Sequence, residues 1–167
     1  MPKYPVITMI FAATLLWAPA AFAQNEYVQI QPNPSGVGTK MSFSATKLEV
    51  NDLELALKFY RDTLGMKESA RMTSQTLREI MLKFDGDSEP TLVLVKHPEE
   101  RKVEVGNAYG YLVITTPDIN GLIARIRSNG FTVSGTPREA REFGLAGLIF
   151  LKDPEGRPIE IVELVKK

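Results

Sequence analysis

The sequence repeats one pattern of a strand, a capped helix and three further strands, and this repeat constrains the fold more than any other feature. A candidate helix N-cap stands at Asp52 and again at Asp118, 66 residues later. A glycine suited to end the helix follows at Gly65 and again at Gly130, 65 residues apart. We therefore predict two βαβββ modules of one length. Two unrelated α+β halves are the less favoured alternative, because caps, helices and strand counts match.

The apolar spacing within each module predicts its individual elements. In the first module it predicts a helix over 53–64 and strands over 43–50, 66–72, 77–84 and 91–97. In the second it predicts a helix between Pro117-Asp118 and Gly130, and strands over 111–116, 131–134, 147–152 and 159–164. The polar segment 137–146 is predicted to be a loop, with a lid over a binding site as the less favoured alternative.

Residues 1–23 are typical of a secretory signal peptide. Lys3 supplies the positive charge, 6–17 form an apolar run, and 21–23 read Ala-Phe-Ala, a small-x-small cleavage site. Cleavage is favoured over retention as a membrane anchor, so we expect a secreted or periplasmic protein with no stable membrane insertion after cleavage. The Pro- and Gly-rich stretch 24–41 is predicted to be a linker.

One domain over 42–167 remains, with modules at about 42–100 and 108–165. The whole chain has 20 Lys and Arg against 20 Asp and Glu, so no basic excess exists for a phosphate backbone and nucleic acid is not an expected partner. Cysteine is absent from the sequence, which excludes disulfides, a thiolate nucleophile and cysteine metal sites.

Three stretches of this domain carry a family resemblance. They are 48–53 with Phe59-Tyr60 and 64–66, then 106–111 with 126–130, then 150–156 with Ile159-Glu160. Together they resemble the vicinal-oxygen-chelate superfamily of glyoxalase I, bleomycin-resistance proteins and extradiol dioxygenases, and the pattern is most similar to glyoxalase I. The resemblance implies an α+β fold in which two βαβββ modules form a cup-shaped mixed sheet with outer helices.

The resemblance also implies a divalent ion bound by one side chain from each of four strands. The four family positions fall on Ala45, Leu94, Tyr111 and Glu160, and only Glu160 keeps a ligand of the family type. An ion needs several convergent nitrogen or oxygen donors, so we expect no metal and no other cofactor. His97 lies three residues after Leu94, and strand alternation therefore predicts that it points away from the cup.

The same alternation predicts an apolar cup interior with a few polar groups, the usual make-up of a small-molecule site. Its predicted lining is Phe43, Ala45, Lys47, Leu92, Leu94, Lys96, Tyr111, Val113, Glu160 and Val162. A carboxylate on such a floor is costly unless it is paired, so Glu160 is expected to meet Lys47, Lys96, the Tyr111 hydroxyl or a ligand. Two interpretations of Glu160 stay open with equal weight: a ligand-orienting residue, and a leftover of the ancestral metal site.

The leading functional hypothesis is an exported, metal-free protein that binds a small organic molecule in the cup. The alternative is a metal-dependent lyase of the glyoxalase I type, with Glu160 as the catalytic candidate and ligands that the sequence does not reveal. A structural module with a filled cup is the third class. The resemblance further implies a homodimer in which sheets of two chains complete each cup.

Overall fold

The computed structural model describes residues 43–98, 102–107 and 110–166. The predicted signal peptide at 1–23 and the linker at 24–41 lie outside these described residues. Within the described part of the chain, every helix is too short or too polar to cross a bilayer.

The first module contains one helical region and a four-stranded mixed sheet. Its elements are β1 (Thr46–Glu49), α1 (Leu53–Leu57), a π-helical turn (Lys58–Thr63), β2 (Lys67–Thr73), β3 (Arg78–Lys83) and β4 (Leu92–Lys96). The strands lie in the order β1-β4-β3-β2, with β1 parallel to β4 and the other pairs antiparallel.

The second module repeats this arrangement. Its elements are β5 (Leu112–Thr115), α2 (Ile119–Ser128), β6 (Arg138–Ala140), a 3₁₀ turn (Arg141–Phe143), β7 (Leu145–Lys152) and β8 (Pro158–Leu164). The strand order is β5-β8-β7-β6, again with the first pair parallel and the others antiparallel. The prediction of an α+β fold made of two βαβββ modules is confirmed.

The repeated caps form as the sequence predicts. The Asp52 carboxylate accepts a hydrogen bond from the Leu55 amide and the Asp118 carboxylate accepts one from the Gly121 amide, both at 2.9 Å. Each side chain therefore satisfies an amide that the first turn of its helix leaves without a backbone partner. Gly130 ends α2 with φ at 87°, a left-handed conformation that residues with a Cβ adopt reluctantly.

The helical region of the first module differs from the predicted continuous α-helix. The α-helix ends at Leu57 and continues as the π-helical turn, in which the Thr63 hydroxyl donates to the Lys58 carbonyl at 2.8 Å. This wider turn places two consecutive aromatic side chains, Phe59 and Tyr60, in the core with their rings edge to face at 5.1 Å. Local spacing alone does not distinguish the two helix types.

The strand predicted at 131–134 was wrong. Phe131 packs edge to face on the Phe59 ring, with centroids 5.0 Å apart, and Val133 is buried. Burial alternates along 131–134 as it does in a strand, because Phe131 and Val133 point towards the core. The backbone of this segment nevertheless pairs with no described strand. The strand that completes the four-stranded sheet is β6 instead, in which Arg138 pairs with Leu148 of β7. It lies in the segment 137–146 that was predicted to be a loop.

The hydrophobic core lies between the helices and one face of each sheet. Leu48 and Leu94 enter it from the first sheet, and Ile159 and Ile161 enter it from the second. The fully buried Ile126 belongs to the same cluster. One face of each sheet is thereby covered, and the opposite face carries the side chains that remain available for binding.

A buried polar network fixes the turn between β7 and β8. The Asp153 carboxylate accepts hydrogen bonds from the Tyr60 hydroxyl at 2.8 Å and from the Arg157 guanidinium at 3.1 Å. Arg157 also donates to the backbone carbonyl of Glu49. Because Tyr60 and Glu49 belong to the first module, this network joins the two modules through groups that water does not reach.

Candidate functional site

The candidate site lies on the face of the second sheet that points away from the helices, which we call the open face. Ile159 and Ile161 of β8 face the core, so Glu160 between them faces the opposite way. Glu160 pairs with Val113 of β5 on one side and with Phe150 of β7 on the other. The predicted site residues Val113 and Glu160 are therefore brought together, and sequence reasoning missed Phe150, which the alternation along β7 could have identified.

Glu160 is a carboxylate in an apolar setting. Its side chain is half-buried, and its neighbours across the sheet are the apolar side chains of Val113 and Phe150. Within the described residues the Glu160 carboxylate has no hydrogen bond or ion pair. The expected pairing with Lys47, Lys96 or the Tyr111 hydroxyl is thus not formed. Its oxygens stay accessible to water, because no side-chain nitrogen or oxygen of the described residues is both buried and without a hydrogen-bond partner.

Aromatic side chains extend the open face on one side of Glu160. The Tyr111 and Phe150 rings lie with centroids 5.1 Å apart and planes inclined at 52°. The Arg138 guanidinium carbon lies 5.9 Å from the Phe150 centroid, within the range of a cation–π contact. Tyr111 is 55% exposed and Phe150 is 42% exposed, so these rings present apolar surface to solvent.

Two pockets adjoin the open face and include residues from it. The first, of about 360 Å³, is lined by Arg138, Glu139, Ala140, Glu142, Phe143, Leu145, Leu148 and Glu160. The second, of about 440 Å³, is lined by Tyr111, Thr132, Ser134, Phe150, Leu151, Lys152 and Pro158. Both volumes are in the range that small organic ligands occupy. Six residues of the predicted loop 137–146 form one wall of the first pocket, which gives this segment a place in the site.

The remaining predicted lining of the second sheet is less accessible. Val162 is buried, and its partners across the sheet are Thr115 and Leu148. Val162 therefore packs beside the Glu160 pocket without being one of its lining residues, whereas Leu148 belongs to that pocket.

The first sheet also has an open face, which carries charged side chains. The alternation along β1 places Ala45 and Lys47 there, opposite to the buried Leu48. The Lys47 ammonium lies 2.5 Å from a carboxylate oxygen of Glu79, which is only 5% exposed. Phe43, also predicted as lining, is 85% exposed at the start of the described chain. Sequence reasoning missed Glu79, although it alternates with the buried Ile80.

The predicted inward orientation of Leu92, Leu94 and Lys96 was wrong. Leu94 pairs with Leu48, and both side chains belong to the core cluster together with Leu92. Lys96 lies two residues after Leu94 on β4 and therefore points to the same face as Leu94. Val93 and Val95 point to the other face, which is the open face. The physical reason is that all four residues from 92 to 95 are apolar and buried, and such a run contains no alternation from which to choose a face.

The orientation predicted for His97 was wrong for the same reason. His97 has the parity of Val93 and Val95, and its Nε2 atom lies 3.5 Å from a carboxylate oxygen of Glu49. Glu49 in turn follows Lys47 by two residues on β1, so His97 lies beside the open face of the first sheet. About a third of its side chain is accessible to solvent.

The four family ligand positions do not supply the donors that a divalent ion requires. Ala45 has no donor, Leu94 lies in the core, and the β4 residues on the open face are valines. Tyr111 offers a phenol and Glu160 a single carboxylate. The residues that the structure describes contain no group of three or more His, Asp or Glu side chains arranged to hold an ion. This donor set does not fit a divalent ion.

Sequence comparisons agree with the fold. The family model described as Glyoxalase/Bleomycin resistance protein/Dioxygenase superfamily matches residues 42–161. A lactoylglutathione lyase of Haemophilus influenzae is 33% identical over 129 residues, which cover 74% of this chain and 93% of that protein. A probable lactoylglutathione lyase of Synechocystis is 30% identical and covers 73% of this chain and 95% of its own length.

Solved structures show the same architecture. Glyoxalase I of Leishmania major, described as trypanothione-dependent, superposes with a TM-score of 0.59 at 26% identity, covering 74% of this chain and 86% of its own. TnmS3, an antibiotic-binding protein from Streptomyces, has the same fold with a TM-score of 0.57 at 21% identity, covering 76% and 99%. The chain belongs to the Glyoxalase/Bleomycin resistance protein/Dioxygenase superfamily.

Proposed function

We propose that this protein binds a small organic molecule on the open face of its second sheet and does so without a divalent metal. The observation that carries this proposal is Glu160, a carboxylate that faces a pocket, has apolar neighbours and has no partner among the described residues. A ligand that pairs with Glu160 and covers Phe150 would form a charge-assisted contact and remove apolar surface from water.

The donor chemistry supports the metal-free part of the proposal. Of the family ligand positions only Glu160 and Tyr111 offer an oxygen, and a neutral phenol binds a divalent ion poorly. Sheet alternation removes Leu94 from the site and puts Val93 in its place. It also brings His97 beside the open face of the first sheet, next to Glu49, but no third His, Asp or Glu of the described residues completes a group that could hold an ion.

Metal analysis of the purified protein tests this proposal. The protein should be purified without chelators or an affinity metal and examined by inductively coupled plasma mass spectrometry. We expect far less than one nickel, zinc, iron or cobalt ion per chain, and native mass spectrometry should show a bound organic molecule. Near-stoichiometric metal would contradict the proposal.

A metal-dependent lyase is the second candidate, because the curated relatives described above are lactoylglutathione lyases. On this alternative Glu160 would move the proton and a second chain would donate the missing ligands. Turnover of the hemithioacetal of methylglyoxal and glutathione, abolished by a chelator and restored by nickel or zinc, would establish it. We expect no turnover above the uncatalysed rate.

We further propose that the protein is exported and that the signal peptide 1–23 is cleaved. The positive start, apolar run and small-x-small site support this proposal. Cell fractionation with N-terminal sequencing tests it. We expect mature protein in the periplasm or medium that begins at Gln24, and a cytosolic chain that keeps Met1 would contradict it.

A homodimer is proposed as the assembly. The open face of the second sheet exposes the neighbouring Tyr111 and Phe150 rings, with Val113 on the other side of Glu160, and exposed apolar surface of this kind marks interaction sites. A second copy that covers the edges of this face would enclose the pockets between two sheets.

A further inference from the structure

We propose that the pocket beside Glu160 takes an organic cation, namely a substituted ammonium or amidinium group attached to an apolar body. This inference rests on the proposed function of the open face and specifies the chemical class of its ligand. Three observations carry it: the unpaired carboxylate, the accessible aromatic rings and the charge of the pocket wall.

The first observation is the Glu160 carboxylate, which has no partner among the described residues. Glu160 is the only residue of the Glu160–Val113–Phe150 row that can form a charged contact, and no described residue pairs with it. Glu160 is half-buried between two apolar neighbours, and a charge pair at a protein surface is stronger than the same pair in bulk water because the effective dielectric constant there is lower. A weakly hydrated organic cation loses less on leaving water than a compact ion such as Na⁺. The site therefore favours the organic group.

Aromatic side chains provide a second contact that favours a positively charged ligand. Ring faces carry negative electrostatic potential, and cations are attracted to them. Phe143, which is 77% exposed, is the aromatic side chain that lines the pocket beside Glu160, and it can offer its ring to a cation. The nearby Phe150 ring lines the neighbouring pocket, and the Arg138 guanidinium already lies 5.9 Å from its centroid.

The charge of the wall supplies the third observation. Glu142 and Glu160 line the pocket without an ion pair among the described residues, against one guanidinium, that of Arg138. The remaining carboxylate, Glu139, is already paired with Arg141 at 2.6 Å. The unpaired charges thus leave the pocket net negative, which disfavours an anionic ligand. Lys152 lies in the neighbouring pocket and does not line this one.

A matched series of three probes tests the inference on the full mature protein. Benzyltrimethylammonium carries the cation, benzyl methyl sulfone is a neutral tetrahedral analogue, and phenylmethanesulfonate carries the opposite charge. Each is titrated into ¹⁵N-labelled protein, and amide shifts report both affinity and location. We expect the ammonium probe to shift resonances of β6, β7 and β8 around Glu160 and to bind at least about tenfold more tightly than the other two.

Two variants assign the effect to one carboxylate. Glu160→Gln removes the charge and keeps the size of the side chain, and we expect it to weaken binding of the ammonium probe by roughly tenfold. Glu68→Gln is the matched control, since its carboxylate is likewise paired with an arginine, Arg71, but lies on β2 of the first sheet and lines neither pocket of the second. We expect it to change binding less than twofold.

The outcomes separate this inference from the proposed function. Equal binding of all three probes in the pocket, or unchanged affinity in Glu160→Gln, would overturn the cation preference and leave the metal-free binding role in place. Probes that shift no resonance of the pocket would overturn the inference as well. Stoichiometric metal in the purified protein would overturn the proposed function, whatever the probes show. If Glu160→Gln does not fold, the probe series on the unaltered protein decides the question.

Discussion

Asp153 shows how a single buried carboxylate is made tolerable. Its two oxygens receive hydrogen bonds from the Tyr60 hydroxyl, from the Arg157 guanidinium and from the backbone amides of Glu155 and Arg157. The pair with Arg157 is almost completely shielded from water. A buried ion pair stabilises a fold only when its remaining hydrogen-bond donors and acceptors also find partners, and here the turn supplies those partners.

Removal of the Tyr60 hydroxyl tests this network. We expect Tyr60→Phe to lower the free energy of unfolding by about 1–3 kcal/mol, because the Asp153 carboxylate loses a donor that water does not replace. Urea denaturation followed by circular dichroism measures the effect. Tyr111→Phe is the control, since the Tyr111 side chain is largely exposed, and it should change stability little. Equal effects of the two variants would contradict the role of Tyr60.

The exposed pair Glu139–Arg141 predicts a pH effect. The hydrogen bond from Arg141, followed by its positive charge, holds the pKa of the Glu139 carboxyl below its ordinary value. The pair therefore stabilises the fold above the pKa of the unfolded chain, and this contribution disappears as the pH falls through the lower, folded value. Both side chains are exposed to solvent, so the contribution to stability is small.

Arg141→Gln should raise the pKa of Glu139 towards its ordinary value. Carboxyl ¹³C chemical shifts followed from pH 7 to pH 2 measure the midpoint of this titration. Arg141→Lys keeps the charge and loses the two-pronged hydrogen bond, so we expect an intermediate midpoint. A midpoint that is the same in all three proteins would show that the pair does not form in solution.

At the level of elements, the contact between β7 and α2 depends on the absence of a side chain. A Cβ atom on Gly147 would lie 2.9 Å from Cγ2 and 3.3 Å from Cδ1 of Ile119, closer than packed atoms tolerate. Ile119 is also fixed at the N-terminus of α2, where its amide donates to the Glu163 carboxylate at 3.0 Å. The helix and the strand therefore approach closely at a point where neither can easily give way.

Gly147→Ala should consequently destabilise the fold by about 1–3 kcal/mol through overpacking. Thermal unfolding followed by circular dichroism measures the loss. Gly110→Ala is the matched control, because a Cβ there has no described heavy atom within 4 Å and its backbone φ is not left-handed. If Gly147→Ala proves as stable as this control, the close approach of the helix is not a constraint.

At the level of the whole molecule, the two sheets differ in what they leave uncovered. The open face of the second sheet presents apolar rings and Glu160, whereas that of the first presents the Lys47–Glu79 ion pair and His97. The open face of the second sheet is mainly apolar and that of the first is charged. If the second sheet of one copy packs over the first sheet of another, the cavity between them has one apolar wall and one charged wall.

We expect light scattering to give twice the mass of one chain. Val113→Glu adds a second carboxylate beside Glu160 on the edge strand β5 and should shift the protein towards monomers, because burial of that charge at an interface is costly. Val113 is 59% exposed, so the monomer itself should stay folded. Leu55→Glu, on the outer surface of α1 and 40% exposed, is the control and should stay dimeric. A monomeric parent protein would contradict the proposal.

The sequence by itself determined the fold. Asp52 and Asp118 are the N-caps of the two helices, Gly130 ends the second helix, and the turn at 153–156 carries the family motif. These sequence signals are local, and the structure contains each of the predicted features. Glu160 and Val113 were found for the same reason, since strand alternation is a local property. The tertiary structure alone decided which face of β4 is buried, because its residues 92–95 are uniformly apolar and only pairing with β1 selects the side. It also decided that Arg138 rather than Phe131 enters the sheet, because burial and strand pairing leave the same pattern in a sequence and only long-range contacts separate them.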